Sequence, residues 1–163
     1  MNMDHLFRPL AEAAGYLELG MHDESEAVLN DLPADQREMA EAFTIRIVLA
    51  IEREDWVDGL TQSERAMALH PDHLSFHIHH AYALHELGYT LEAFACLERV
   101  ALDPGEEPPR LATYHYNQAC YAAVLGSAKL AMDQLHEAFS HDPRLRKSAL
   151  AEPDLATLRH LLC

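Results

Sequence analysis

The apolar and polar positions of this chain read as helices separated by sharply punctuated turns, and nothing in it reads as a strand. Ala, Leu and Glu dominate, and alternating β-branched runs are absent. Three segments repeat one pattern: "ELGMHDESEAVLNDLP", "ELGYTLEAFACLERVALDP" and "VLGSAKLAMDQLHEAFSHDP". Each has a Leu-Gly pair, a helical stretch, then a proline. A fourth, "EREDWVDGLTQSERAMALHP", fits the same frame with Glu54 in the glycine's place. The turn residues Gly20, Glu54, Gly88 and Gly126 stand 34, 34 and 38 apart. Five positions after each comes a small residue (Ser25, Gly59, Ala93, Ala131), and twelve after each an apolar one (Leu32, Ala66, Val100, Ala138). Pro71 and Pro143 lie 17 residues past their turns, and Pro104 lies 16 past its own.

This pattern predicts helical hairpins. Glycine at the turn tolerates the left-handed backbone that ends one helix. The small residue five later lets two helix backbones approach. Proline stops the second helix, because it lacks a donor and clashes inside one. Asp23 with Glu26, and Asp35 with Glu38, have the spacing of capping boxes and predict helix starts there. The first repeat is degenerate: its second helix is expected to stop early at Leu32-Pro33, and its first to begin near Pro9, a favoured first helical residue.

Period, turn glycine, small residue and terminal proline together resemble the tetratricopeptide repeat (TPR) family over residues 5–143. "YNQACYAAVLG" and "AMDQLHEAFSHDP" match it best. The resemblance implies an all-α fold, a right-handed superhelical solenoid of antiparallel helix hairpins. A single domain spanning 1–163 is expected, with hairpins at about 5–33, 36–70, 72–103 and 109–142 and a capping helical tail at 144–163. Leu155, Leu158, Leu161 and Leu162 supply one helical face for that cap. One departure from the family stands out. Eight positions before each turn, where a large apolar residue is usual, the chain has Glu12, Arg46, His80 and Gln118. Buried unpaired, each would cost about 1–3 kcal/mol, so these side chains either reach the surface or hydrogen-bond along the stack. A Glu12–Arg46 salt bridge is one such pairing.

What the resemblance implies for function is a protein-interaction scaffold or adaptor. It would bind a peptide or helix in a concave groove lined by the first helix of each hairpin. The family's register puts Thr44, Ile45 and Val48 there, then Ile78, His79, Tyr82 and His85, then Tyr116, Asn117 and Cys120. Several of these could equally be core, because helices in a solenoid are apolar on more than one face. The lysines and arginines of a carboxylate clamp are missing, so a carboxylate-terminated peptide is not the expected ligand. A secretion-type chaperone and a homodimer that fills its own groove are alternatives.

Composition narrows the classes further. Half the residues are apolar, which argues against disorder, and no apolar run approaches the ~18 residues of a membrane span. The start lacks a secretory pattern, so the cytoplasm is the expected compartment. Cys96, Cys120 and Cys163 read as free thiols of a reducing compartment. Formal net charge is -15. From residue 129 onward five bases (Lys129, Arg144, Arg146, Lys147, Arg159) balance five acids (Asp133, Glu137, Asp142, Glu152, Asp154), so the excess lies in 1–128. That field disfavours nucleic acid and anionic membranes and favours a basic or amphipathic protein partner. No enzyme or cofactor signature is present: there is no Gly-rich phosphate loop and no GxSxG, and His85-Glu86 lacks the second histidine of HExxH.

The densest candidate chemistry is "HLSFHIHHAYALHEL", with His73, His77, His79, His80 and His85. The helical period puts His77 and His80 between helices and His79 and His85 toward the groove. The five split over at least two faces, so no four-ligand metal set is expected. A pH-sensitive contact through His79 or His85 is the sharper alternative.

Overall fold

In a computed structural model, residues 4–162 are described, with side chains from Arg8 onward. Among the described residues every regular element is a helix. The order is α1 (Asp4–Glu18), α2 (His22–Asn30), α3 (Ala34–Arg37), α4 (Ala40–Glu52), α5 (Trp56–Leu69), α6 (Leu74–Glu86), α7 (Thr90–Glu98), α8 (Pro108–Val124), α9 (Ala128–His141) and α10 (Leu145–Ala151). A 3-10 helix, η1 (Pro153–Leu158), and α11 (Arg159–Leu162) complete it.

The four predicted turns share one construction. The N–H of the residue after each turn position donates back to the carbonyl five residues earlier: Met21 to Tyr16 (2.9 Å), Asp55 to Ala50 (2.8 Å), Tyr89 to Leu84 (2.9 Å) and Ser127 to Ala122 (2.8 Å). The turn residue itself donates to the carbonyl three back, as Gly88 does to His85 at 2.8 Å. Both bonds need a left-handed residue between them. Gly20, Gly88 and Gly126 supply it at φ of 70°, 87° and 81°, and Glu54 does so at 54°. The small residue five later is buried each time, and the Ser25 hydroxyl donates to the Ala13 carbonyl on the facing helix at 2.8 Å.

Several helix ends differ from expectation. α1 starts at Asp4 and runs through Pro9 rather than beginning there. The two capping boxes do not form. Met21 and Pro33 hold the cap positions of α2 and α3 without side-chain cap bonds; at Met21 the reversing turn at Gly20 hands the chain straight into α2. Asp23 and Glu26 pair with Arg53 instead, at 2.9 and 2.8 Å. A side-chain cap does form at Asp55, which accepts from the Asp58 N–H at 3.0 Å.

α2 stops at Asn30, beside Pro33, and α7 stops at Glu98, well before Pro104; side chains from elsewhere reach the last carbonyls of both. Arg37 donates to the carbonyls of Asn30 and Leu32, and Arg46 to those of Leu29 and Arg37. α7 ends at Glu98, short of Pro104, and its Leu97 carbonyl accepts from the Val100 N–H at 3.0 Å and from the Tyr114 hydroxyl at 3.1 Å. Terminal carbonyls satisfied this way no longer require another helical turn.

The chain divides into two compact units, Met1–His79 and His80–Cys163, where the sequence predicts one domain. In stacked hairpins each element touches its neighbours only, so such divisions are inherent to the architecture. In the first unit α1 packs on α2, α4 packs on α5, and α1 and α2 both rest on α4. Leu10, Leu29, Leu32, Ile45 and Leu49 form its main core cluster, and Phe43, Ile47, Ala66 and Phe76 a second. In the second unit α8 packs on α9, α7 on α8, α10 on α9, and η1 along α8.

The turns give a stability prediction. Gly88→Ala meets no atom within 4 Å, so its cost is backbone strain alone, about 1 kcal/mol. Glu54→Gly relieves the same strain and should raise stability by up to about 1 kcal/mol. Urea unfolding of both variants against wild type checks the opposite signs.

Candidate functional site

Ile45 and Ile78 are not exposed groove residues: they are 7 % and 4 % exposed. Ile45 lies three residues after Ala42 and four before Leu49, both core, so the helical period turns it inward. Ile78 lies likewise between Leu74 and Ala81, both buried. Cys120, 5 % exposed, is a buried free thiol whose pKa burial pushes far up. Cys96 is also free, and Cys163 lies outside the described residues. Thr44 and Val48 are half-buried, and Thr44 donates to its own helix at the Ala40 carbonyl.

In the second unit the expected residues converge, and the chain's own tail lies against them. His85 sits near the end of α6 and is held at both ring nitrogens. Nδ1 is 2.9 Å from the Thr90 hydroxyl at the start of α7, and Nε2 is 2.9 Å from Asp154 Oδ2 on η1. With Nε2–H donating to the carboxylate, Nδ1 accepts from Thr90 when the ring is neutral. When it is protonated, Nδ1 donates to the same oxygen. The ring also lies 4.8 Å from that of Tyr121 on α8. Leu155, 0 % exposed, and Leu158, 4 %, anchor η1. In a 3-10 helix residues three apart share an edge, which is why these two are buried together. Of the four leucines expected to form the cap's apolar face, Leu161 is half exposed, because the chain leaves the 3-10 geometry at Arg159.

The surroundings of this contact are crowded with acid groups. Burial first, then Asp154 and Glu86, push the Glu152 carboxyl above its ordinary range. Burial, then Glu86, raises half-buried Tyr82. Tyr116 and Tyr121 are raised further, mainly by burial, with Asp154 among the charges acting on both. Their hydroxyls are buried without a hydrogen-bond partner among the described residues, a cost of about 1–3 kcal/mol each. Asn117 on α8 is half-buried. Thr90, Tyr121, Glu152 and Asp154 were not identified from sequence. The available signal was Pro153 opening a new helical turn, followed by Asp154-Leu155 and Leu158 at 3-10 spacing.

The remaining histidines disperse. His73 stacks on Phe76 at 4.2 Å, and His77 Nε2 meets the Pro71 carbonyl at 2.8 Å, at the helix start rather than between helices. His79 is largely buried, not groove-facing, and its Nδ1 has no hydrogen-bond partner among the described residues. Burial, then the charge of His73, pushes its pKa down to about 4. A ring neutral throughout the physiological range is no switch near pH 6.5, which corrects the expectation of a pH-sensitive contact at His79. Among the described residues no three His, Cys, Asp or Glu side chains converge to hold an ion.

The four polar positions behave individually. Glu12 is exposed, Arg46 is spent on carbonyls rather than on Glu12, and His80 is half-buried. Gln118, 1 % exposed, donates to the Tyr114 hydroxyl at 3.1 Å. A cleft of about 310 Å³ beside Arg46 is lined by Leu29, Asn30, Arg37, Gln62 and Arg65. Burial, then Arg65 and Arg37, lowers the Arg46 pKa.

The chain's helices superpose on those of a solved structure named MamA MSR-1 C2 with a TM-score of 0.63, at 18% identity, covering 88% of this chain and 82% of that one. The fold is that of a TPR-like helical repeat. A point mutant of MamA is similar at TM-score 0.62 and 17% identity, over 87% of this chain and 81% of that one. No protein-family model and no curated protein matches the chain. No helix among the described residues is long and apolar enough to cross a membrane.

His79 yields a pH prediction. The unfolded chain takes up its proton near 6.5, the folded chain only near 4. Stability from this group is therefore complete above pH 6.5 and is lost as pH falls toward 4, by about 3 kcal/mol. His79→Gln should flatten the loss by that amount relative to wild type. Chemical denaturation at pH 7 and pH 4 checks it, and an equal loss in both proteins would contradict the assignment.

Proposed function

We propose that this chain is a non-enzymatic, TPR-type protein-interaction module of the cytoplasm, one domain of four hairpins and a tail, that binds a peptide or helix of another protein. The binding surface of this reading is the first-helix face of the C-terminal unit, with Tyr82 and His85 from α6 and Tyr116 and Asn117 from α8. One observation carries it: this face already holds a short helical segment, η1, by a 2.9 Å hydrogen bond between His85 and Asp154 and two buried leucines. A surface that binds a helical turn of its own chain has the shape and chemistry to bind one from another chain. Val48 and His79 contribute only a half-buried edge in the first unit, so the reading centres on the second.

Immobilised wild type and Tyr82→Ala/Tyr116→Ala protein, each confirmed helical by circular dichroism, should differ when challenged with extract of the source cells. A protein retained by wild type should fall at least tenfold with the double variant. Equal recovery of every retained protein by both would remove this face from the function. Light scattering of the eluate distinguishes a foreign partner from a second copy of the chain.

A further inference from the structure

The tail's contact has features that specify what a partner must offer. Asp154 supplies a carboxylate to His85, and His85 is fixed in place by Thr90 on its other nitrogen. Leu155 and Leu158, three apart on a 3-10 turn, are buried against the unit. The seat is nevertheless imperfect. The Tyr116 and Tyr121 hydroxyls remain buried and unpartnered among the described residues. The Asp154 and Glu86 carboxylates also crowd Glu152, opposed by the Asp154 backbone N–H and, less strongly, by His85. The exposed neighbours Ala156 and Thr157 contribute no buried surface.

We infer that the α6–α8 face of the C-terminal unit is a docking site for short amphipathic helical segments bearing an acid followed by two leucines at the spacing of Asp154, Leu155 and Leu158, and that η1 is its resident competitor. A partner segment that keeps the acid and both leucines and adds acceptors for the two tyrosine hydroxyls displaces η1, which then swings out on the Glu152-Pro153 break after α10. This rests on the proposed function and narrows its ligand from the basic or amphipathic class to the acidic-amphipathic one. The ring Nε2 of His85, 2.9 Å from the Asp154 carboxylate, favours an acid at that position of the segment.

The test uses the full-length chain and a fluorescein-labelled peptide of residues 150–162, read by fluorescence anisotropy. Leu155→Ala/Leu158→Ala in the chain weakens its own tail and leaves His85 and α8 intact. That variant should bind the peptide at least tenfold more tightly than wild type does, and the peptide carrying Asp154→Asn should bind it at least fivefold more weakly. No binding to the variant, or equal binding to variant and wild type, overturns the proposal. If the double variant loses its helical circular dichroism, full-length Asp154→Asn takes its place with the same expected order and the same overturning result. Loss of this peptide's binding alongside a Tyr82/Tyr116-dependent partner would refute the ligand chemistry while leaving the face itself in place.

Discussion

The left-handed turn residue is the constraint on which the rest of the molecule depends. At Gly20, Glu54, Gly88 and Gly126 one residue of positive φ lets two backbone bonds close a helix and start the next within three residues. So short a reversal leaves the second helix only one way to lie, antiparallel and close. The small residue five positions later is then forced against the partner helix, and Ser25 can reach the Ala13 carbonyl. A longer linker would free the crossing angle and remove the reason for Ser25, Gly59, Ala93 and Ala131 to be small. Glu54 occupies the position at a conformational cost, and the geometry persists, so the packing on both sides outweighs about 1 kcal/mol of strain.

A second constraint explains why the chain departs from the family's apolar register. Two of the polar residues eight before the turns serve helix ends. Arg46 donates to the Leu29 carbonyl, where α2 stops, and to the Arg37 carbonyl, where α3 stops. Gln118 holds the Tyr114 hydroxyl, which holds the Leu97 carbonyl where α7 stops. Both α2 and α7 are short, nine residues each, and both are closed by a side chain from the first helix of the following hairpin. An apolar residue at 46 would take these donors from the Leu29 and Arg37 carbonyls, and one at 118 would take from the Tyr114 hydroxyl the donor that holds it in place. The polar residue and the shortened helix are one feature.

The hairpins were legible because turn, small residue and proline are dictated by backbone geometry, which leaves a direct mark on sequence. Helix ends were less so. Asp23 and Asp35 had the right spacing for caps, yet both lie inside their helices, whose cap positions are held by Met21 and Pro33. Pro104 marked a boundary that the chain never reaches as helix: α7 ends at Glu98, where the Leu97 carbonyl accepts from both the Val100 N–H and the Tyr114 hydroxyl. Burial was less legible at the expected groove positions. Ile45 and Ile78 share the register of Tyr82, His85 and Tyr116 but meet core neighbours at three and four residues. Asp154 and Thr90 were illegible because their role depends on where a tail folds back, a contact between residues 69 apart in the case of His85 and Asp154.

The histidine-rich helix invites a reading in which acid opens the tail's contact, and the chemistry runs the other way. His85 keeps two hydrogen bonds in either protonation state, because Thr90 can donate or accept, and a proton added to the ring strengthens its attraction to Asp154. Glu152 is held above the ordinary carboxylate range, by burial first and then by Asp154. A group whose proton affinity is raised by burial favours the buried arrangement when protonated, so the docked tail gains as pH drops through that range. The repulsion between Glu152, Asp154 and Glu86 falls at the same time. Mild acid therefore tightens η1 on α8, and release has to come from something that replaces its carboxylate and its leucines together.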